Sequence, residues 1–385
     1  MKRKPPPKSD LETLMPLLLG VWRRFHKLSG PSDSLQTREF RGVVAAVKEL
    51  QEIVNGGQPA NKNYFEDPNL LGAYVLYNWV LHYQQALSLI GEIPNRPRRV
   101  LDLCSGPAPF AFGALKYGAS EVYALDQSQM ALQLGTEIAG RYGLPIQVRK
   151  WECPSSIPVA GEFDLIILGH CLEELFPPQT KGWGERQEKF LDSLIHRLTP
   201  HGHLLIVGSS LTEPNRRILQ IREMMVKKKI PIQAPCVWQG ECPALQTPNS
   251  PCYAQREFEK PYLIKQLQRG GEINLSSLKM SYLLLRSPQA AWPNVGQQPL
   301  YRIISPPVES FQGKKFYLCG TDGKKSLSSR LPKHPPESKA FDFLRRGDLI
   351  SIENPLENKS AFEIKEGTAL KLHTPAGKAL PETEN

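Results

Sequence analysis

The sequence predicts an α/β protein: a mostly parallel sheet preceded by helices and followed by a small β module. Three observations carry this reading. From Arg98 to about residue 210, short apolar runs alternate with stretches of helical period, the pattern of strands and crossover helices in one parallel sheet. Residues 9–95 read as helical before it. Beyond residue 300, short aromatic and β-branched runs are broken by Gly-Lys and proline-rich turns, which is a β pattern.

In chain order, Ser9 and Glu12 stand at capping-box spacing ahead of LETLMPLLLGVWRRFHKL, and Pro16 is expected to kink or delay that helix. REFRGVVAAVKELQEIV forms a second helix. Asp67-Pro68 opens a third, an N-cap followed by proline at the first helical position. RRVLDLC, EVYALD, IQVRKW, FDLIILG and HLLIVGS read as strands. Helices PFAFGALKYG, MALQLGTEIAGRYG and ERQEKFLDSLIHRL fall between them, and another covers about 214–229. KMSYLLLRS is a late strand, and KKFYLC and DLISIE belong to the β module. The expected organisation is a helical region over 1–96 and an α/β domain over 97–290 with a Cys-rich insertion at 231–260. A small basic β module spans 300–354, and a polar tail at 365–385 is expected to be disordered.

The chain has 385 residues, seven cysteines, 35 prolines and a formal net charge of +10. That length holds a large core and several units. An odd cysteine count in a long chain points away from a disulfide framework and toward free thiols. The longest apolar stretch, near Leu70–Ile90, contains Asn78, His82, Gln84 and Gln85, so it reads as a buried helix and not a membrane span. The N-terminus MKRKPPPKSDLE matches neither a secretory signal nor a transit peptide, which suggests a bacterial cytoplasmic protein. Residues 211–350 carry 22 Lys/Arg against 11 Asp/Glu, whereas the remainder carries 26 against 27. All the basic surplus therefore lies in the C-terminal half. It suits a polyanion, RNA above all and not DNA, and a solvated basic surface would give the same count.

Two constellations carry chemistry. The first is VLDLCSGPAP, where the first strand ends at Asp102 and turns through Cys104, Ser105 and Gly106. Glycine in such a turn lets backbone approach a ligand. Asp126 ends the second strand, where a carboxylate accepts ribose hydroxyls. Here the chain resembles the class I S-adenosylmethionine-dependent methyltransferases over about 97–212, which are Rossmann-like. Of the glycines expected in their first motif only Gly106 is present, with Cys104 and Ala108 in the other two places, and their Cβ atoms are expected to intrude on the methionine part of the ligand. Trp151 and Glu152, after the third strand, are adenine-side candidates. GHCLEEL after the fourth strand lacks both the Asp/Asn-Pro-Pro-aromatic segment and a nucleophilic cysteine beside proline. Cys171 and Glu173 lie near the right place, but packing and capping on a strand-to-helix turn explain them better, and His170 is a candidate base with no visible partner. The catalytic residues, if any, are unknown.

The second constellation is PCVWQGECPALQTPNSPC, with Cys236, Cys242 and Cys252 inside seventeen residues. The segment has no helical or strand period and no core of its own, so a metal centre would hold it. Its gaps of five and nine residues, without a CxxC pair, suit an iron–sulfur cluster better than structural zinc, though spacing leaves both open. A fourth ligand must come from elsewhere: Cys104, Cys153, Cys171 or Cys319, of which Cys319 in the β module is favoured.

The chain further resembles the methyltransferase-like assembly factors of the mitochondrial small ribosomal subunit and their bacterial relatives, over about 60–352. The resemblance rests on VLDLCSGPAP, FDLIILGHCLEEL, LTPHGHLLIVGSSLTEPNRRILQIRE, APCVWQGECP, SPCYAQ, SYLLLR and FYLCGTDGK. It implies a 4Fe-4S cluster on Cys236, Cys242, Cys252 and Cys319, and binding to ribosomal RNA and proteins of the small subunit. It also implies a mitochondrial location for a eukaryotic member, and S-adenosylmethionine as a further cofactor. The family often has an acid after the fifth strand, where this chain has Gly208-Ser209-Ser210. Lys227–Lys229, Lys314, Lys315, Lys324, Lys325, Arg345 and Arg346 are expected to form one phosphate-binding face, with Trp238 or Tyr253 placed to stack on a base or against the cluster. Three readings stay open: an assembly factor with a scaffold domain, an active methyltransferase of ribosomal RNA, or a small-molecule methyltransferase with structural zinc.

Overall fold

The structure, a computed structural model, describes residues 10–56, 67–247, 251–294, 298–310, 313–320 and 322–380. The expected cap at Ser9 lies outside them. Helix α1 (Asp10–Phe25) continues through Pro16 and buries Leu11, Leu14, Met15, Leu18, Leu19 and Trp22 on one face. The proline costs about 3 kcal/mol in a helix interior; several apolar side chains at roughly 1.5–3 kcal/mol each outweigh it. Helix α2 (Thr37–Gly56) follows. Asp67 caps α3 (Pro68–Ala73), its Oδ1 accepting from the amides of Asn69 and Leu70. A π-helical turn (Tyr74–Asn78) then leads into α4 (Trp79–Ile90). The apolar stretch near 70–90 is thus buried helix, and among the described residues no helix is long and apolar enough to cross a membrane.

The alternating region builds as its periodicity predicts. In order come β1 (Arg99–Leu103), α5 (Pro109–Lys116), β2 (Glu121–Asp126), α6 (Gln129–Arg141) and β3 (Gln147–Lys150). Then follow β4 (Phe163–Gly169), α7 (Leu172–Leu175), α8 (Trp183–Ile195), β5 (Leu198–Gly208) and α9 (Thr212–Lys227). Last are β6 (Ile232–Ala234), α10 (Pro243–Gln246), β7 (Ala254–Arg256), α11 (Tyr262–Gly271) and β8 (Leu278–Arg286). The sheet order is β3-β2-β1-β4-β5-β8-β6. Strands β1 to β5 pair in parallel, and β8 enters antiparallel between β5 and β6. A parallel five-strand core with one late antiparallel insertion is the Rossmann-like arrangement of class I methyltransferases, and the order reverses at β1/β4, where such sheets bind ligands.

The N-terminal helices are part of this body. Buried side chains of α1–α4 share one core with Phe112 of α5, Leu134 and Ile138 of α6, and Leu263, Ile264 and Leu267 of α11. The change at residue 97 is one of element type and not of packing. Helices α4 and α5 cross closely: a Cβ on Gly113 would stand 2.7 Å from that of Ala86. Trp79 Nε1 donates to the Pro107 carbonyl at 3.0 Å, which ties the helical layer to the turn after β1.

The C-terminal module is a second sheet. Its strands are β9 (Leu300–Ile303), β10 (Val308–Ser310), β11 (Gly313–Gly320), β12 (Gly323–Ser329), β13 (Leu349–Glu353), β14 (Leu356–Asn358), β15 (Ala361–Ile364) and β16 (Ala369–Thr374). Tyr301, Ile303, Phe316, Leu318, Leu327, Phe341, Ile350 and Phe362 form its core. The module runs past the expected end at 354, and the tail expected to be disordered from 365 contains β16, paired antiparallel with β13. Its polar appearance comes from an edge strand with one buried side: Leu370 packs into the module, and Leu380 packs with Val237, Leu300 and Leu349.

Candidate cysteine centre and nucleotide site

At the carboxyl end of β1, Asp102 is 1% exposed and its Oδ2 accepts from the Ala111 amide at 2.9 Å, inside the first turn of α5. Burial pushes its carboxyl up to about 8, and Asp126 adds to the rise. Asp126 ends β2 with Oδ2 accepting from the Gly106 amide and Oδ1 from the Ser128 amide, both at 2.8 Å. Cys104, Gly106 and Ala108 all adopt left-handed backbone, at φ +54°, +53° and +60°. The loop therefore keeps the conformation that favours glycine at all three places while carrying glycine at one. The expected intrusion of Ala108 is corrected here: its methyl is buried against α6, where a Cβ on Gly135 would meet it at 3.1 Å. Trp151 is buried and its amide donates to the Asp126 carbonyl, while Glu152 is exposed on the following turn.

Aromatic side chains surround the end of β4. His170, at φ +59°, stacks on His82 with centroids 4.6 Å apart, and Phe110 lies beside both. His170 Nε2 and Gln85 Oε1 are 2.8 Å apart. Burial pushes His170 down to about 4 and His82 well below its ordinary value, so both rings are neutral near pH 7. Tyr74, from the π-helical turn, sets its hydroxyl 3.4 Å from where a Cβ on Gly106 would lie. Cys104, Cys153 and Cys171 gather at this end of the sheet: Cys104 raises the pKa of both Cys153 and Cys171.

The four other cysteines meet elsewhere. Cys236, Cys242, Cys252 and Cys319 line one cavity, together with Arg222, Trp238 and Lys324. Cys319 arrives from β11. Along that strand Phe316 and Leu318 point into the module's core, so residues 317 and 319 lie on its other face. Burial pushes Cys252 up to about 12, with Cys236 and Cys242 next among the causes. The Cys319 thiol is raised by burial, then by Cys236, Cys252 and Cys242. The sulfurs are thus close enough to oppose one another's ionisation. Among the described residues no three His, Cys, Asp or Glu side chains converge where a single metal ion would sit.

Helix α9 organises the loop, a role the sequence reading missed. Asn215 Nδ2 donates to the Cys252 carbonyl at 2.7 Å, and its Oδ1 accepts from the Cys252 amide at 3.2 Å. Glu223 Oε2 accepts from the Cys242 amide at 3.0 Å. Arg222 donates to the carbonyls of Trp238 and Gly240. The β module is held from its own side. Arg302 donates to the carbonyls of Pro235 and Gly347, and Arg346 lies 3.7 Å over the Tyr253 ring. A signal was available: Asn215 and Arg222 are seven apart, on the buried face of an amphipathic helix.

The expected phosphate-binding face divides. Arg346 is buried under Tyr253, Arg345 pairs with Glu257, Lys228 with Glu188 and Asp192, and Lys325 with Asp322 and Glu357. Lys227 and Lys229 are exposed and carry no ion pair among the described residues. Tyr253 and Trp238 are both engaged internally, Trp238 through Nε1 to the Glu241 carbonyl.

The family model described as mitochondrial small ribosomal subunit Rsm22 matches residues 73–334, which takes in the nucleotide loop and all four clustered cysteines. The ribosomal protein L11 methyltransferase of Syntrophotalea carbinolica is 28% identical over 124 residues, 32% of this chain and 36% of the relative. The chain therefore spans about a third of that relative's length. Among solved structures, the N-methyltransferase NodS of Bradyrhizobium japonicum WM9, in complex with S-adenosyl-L-homocysteine, is 12% identical. The match covers 64% of this chain and 99% of that one, at a TM-score of 0.36. The ribosomal protein L11 methylase of Lactobacillus delbrueckii subsp. bulgaricus is 16% identical over 52% of this chain and 76% of that one, at a TM-score of 0.32. The strand order, and not these scores, carries the fold.

Proposed function

We propose, from the premise that the chain belongs to the mitochondrial small ribosomal subunit Rsm22 family, that it is an assembly and translation factor binding ribosomal RNA and proteins of the small subunit. Its methyltransferase-like domain serves as a scaffold, and Cys236, Cys242, Cys252 and Cys319 hold a 4Fe-4S cluster. One observation carries this reading: a cysteine from the second sheet lines the same cavity as three from the loop. The donor set fits the group, since four thiolates are what such a cluster takes. A single zinc would draw its sulfurs to within about 4 Å of one another, at Zn–S bonds of ~2.3 Å, and is the alternative occupant of the same four thiols. When bound, the cluster supplies a four-point cross-link and one-electron chemistry. The loop and β11 would be fixed together by it, with α9 and Arg302 holding the backbone around it. The protein would act where its ribosome is built, in mitochondria for a eukaryotic chain and in the cytoplasm for a bacterial one.

Anaerobic purification tests this. Iron and sulfide in equal amounts with broad visible absorbance are expected, and Cys319→Ser should lose most of the iron. A colourless protein with one zinc per chain would sink the cluster and favour a small-molecule methyltransferase with a structural ion.

A second reading, an active S-adenosylmethionine-dependent methyltransferase of ribosomal RNA, is favoured by the left-handed loop and by Asp126 on the Gly106 amide. The half-buried stack of His82 on His170 beside Phe110 weighs for the scaffold, because apolar and neutral groups crowd the end of β4. Replacing Asp102 and Asp126 separates the two. Normal small-subunit assembly with every RNA methyl group present supports the scaffold, and loss of one defined methyl group supports catalysis.

A further inference from the structure

We infer that Arg222 donates its Nε–H to a sulfur of the iron–sulfur centre held by Cys236, Cys242, Cys252 and Cys319 and thereby sets that centre's reduction potential. The inference rests on the cluster reading above. Arg222 is 1% exposed and lines the four-cysteine cavity. Two of its three nitrogens are spoken for: Nη1 donates to the Gly240 carbonyl at 2.6 Å and to Glu223 Oε2 at 3.1 Å, and Nη2 to the Trp238 carbonyl at 2.5 Å. The third, Nε, is buried and has no hydrogen-bond partner among the described residues. A buried guanidinium N–H left without an acceptor is costly, so the position calls for one that arrives with the centre.

Cys236, Cys242, Cys252 and Cys319 line the same cavity as Arg222, so the acceptor is one of their sulfurs. Arg302 and Arg346, both buried, bring further positive charge to Pro235 and Tyr253, the neighbours of Cys236 and Cys252. A cluster ligated by four thiolates is a net anion, and hydrogen bonds to its sulfurs and nearby charge are among the levers that fix its potential. Only arginine can hold two loop carbonyls with its Nη groups and still aim a third N–H elsewhere. Arg222 is a positioning residue: it shapes the loop and biases the electron affinity of what the loop holds.

The full-length chain, Arg222→Gln and Arg222→Lys are purified without oxygen, assayed for iron and sulfide, and titrated with dithionite through mediator dyes while visible absorbance is followed. Arg222→Gln removes both the charge and the Nε–H, so the one-electron reduced form loses stabilisation and the potential moves to a more negative value. Arg222→Lys keeps a charge and loses the directed donor, so it falls between the two, and both variants bleach faster in air. Iron-replete Arg222→Gln at the wild-type potential would overturn the inference and leave the cluster standing. If Arg222→Gln sheds iron, Arg222→Lys decides: iron retained at the wild-type potential overturns it, and so does loss of iron from both, which marks Arg222 as purely structural. Wild-type protein without iron and sulfide would overturn the cluster reading itself, and with it this inference.

Discussion

Asn215 grips Cys252 by both edges of its amide, donating to the carbonyl and accepting from the backbone N–H of the same residue. Its Nδ2 also donates to Ser281 Oγ at 2.7 Å, so one helix side chain joins the cysteine loop to β8. Asn215 is 3% exposed. Asn215→Ala would leave the Cys252 peptide groups without their partner in a place water reaches poorly, at a cost of about 2–3 kcal/mol. Urea unfolding should show that loss, and iron content should fall with it. Unchanged stability would mean that the loop is anchored some other way.

Asp102 makes stability depend on pH in an unusual direction. Its folded-state pKa, about 8, lies above the ordinary 3.8. Between those values the folded chain holds a proton that the unfolded chain has released, so stability falls as pH rises through the window. Asp102→Asn cannot ionise, and its amide oxygen can still accept from Ala111. It should match the wild type near pH 4 and exceed it above pH 8 by on the order of a few kcal/mol. Denaturant midpoints across that range check this; parallel profiles would show that the carboxyl is already ionised in the fold. An acid kept at such a site against stability is what a ligand-binding role predicts.

The crossing of α4 and α5 supports the nucleotide loop from behind. Gly113→Ala would set a methyl 2.7 Å from the Ala86 Cβ, and the two backbones would have to separate. The expected loss is about 1–3 kcal/mol. If the chain binds S-adenosyl ligands, as the second reading proposes, affinity for S-adenosylhomocysteine, measured by calorimetry, should fall as well, because Trp79 on α4 holds the Pro107 carbonyl. A stability loss with unchanged ligand affinity would detach the helical layer from the site.

What the sequence made legible follows from range of interaction. EVYALD and FDLIILG match β2 and β4 residue for residue, because their apolar runs VYAL and LIIL are buried wholly or in part by the layers on either side of the sheet. Asp67 could be read as a cap since its partners are two and three residues away. The π-helical turn at Tyr74–Asn78 left no local mark; its buried Val75, Leu76 and Tyr77 read equally well as α-helix. Strand β16 was hidden because Leu370 finds its core in the module, and Leu380, beyond the strand, packs with Val237 of the cysteine loop. At the cysteine centre the residue types announced themselves, while Arg346 read as a phosphate-binding cation and Arg302 carried no mark at all, because their partners lie far off in sequence. Periodicity reports that a side is buried, and it cannot say which distant carbonyl the side meets.

That docking changes what the basic surplus can do. Lys227 and Lys229, exposed at the end of α9, are free for phosphate, whereas Arg346 over Tyr253 is internal. Removing an exposed phosphate contact should lower the slope of log affinity against log salt by about 1, and removing an internal cation should leave the slope alone. Lys227→Ala and Lys229→Ala are therefore expected to weaken binding to small-subunit RNA and flatten its salt dependence, with urea midpoints unchanged. Arg346→Ala should do the reverse: it loses the cation–π contact at Tyr253, worth about 2 kcal/mol when desolvated, and keeps the wild-type slope. If Arg346→Ala instead flattens the salt dependence and the lysine variants do not, the RNA face lies on the β module and not at the end of α9.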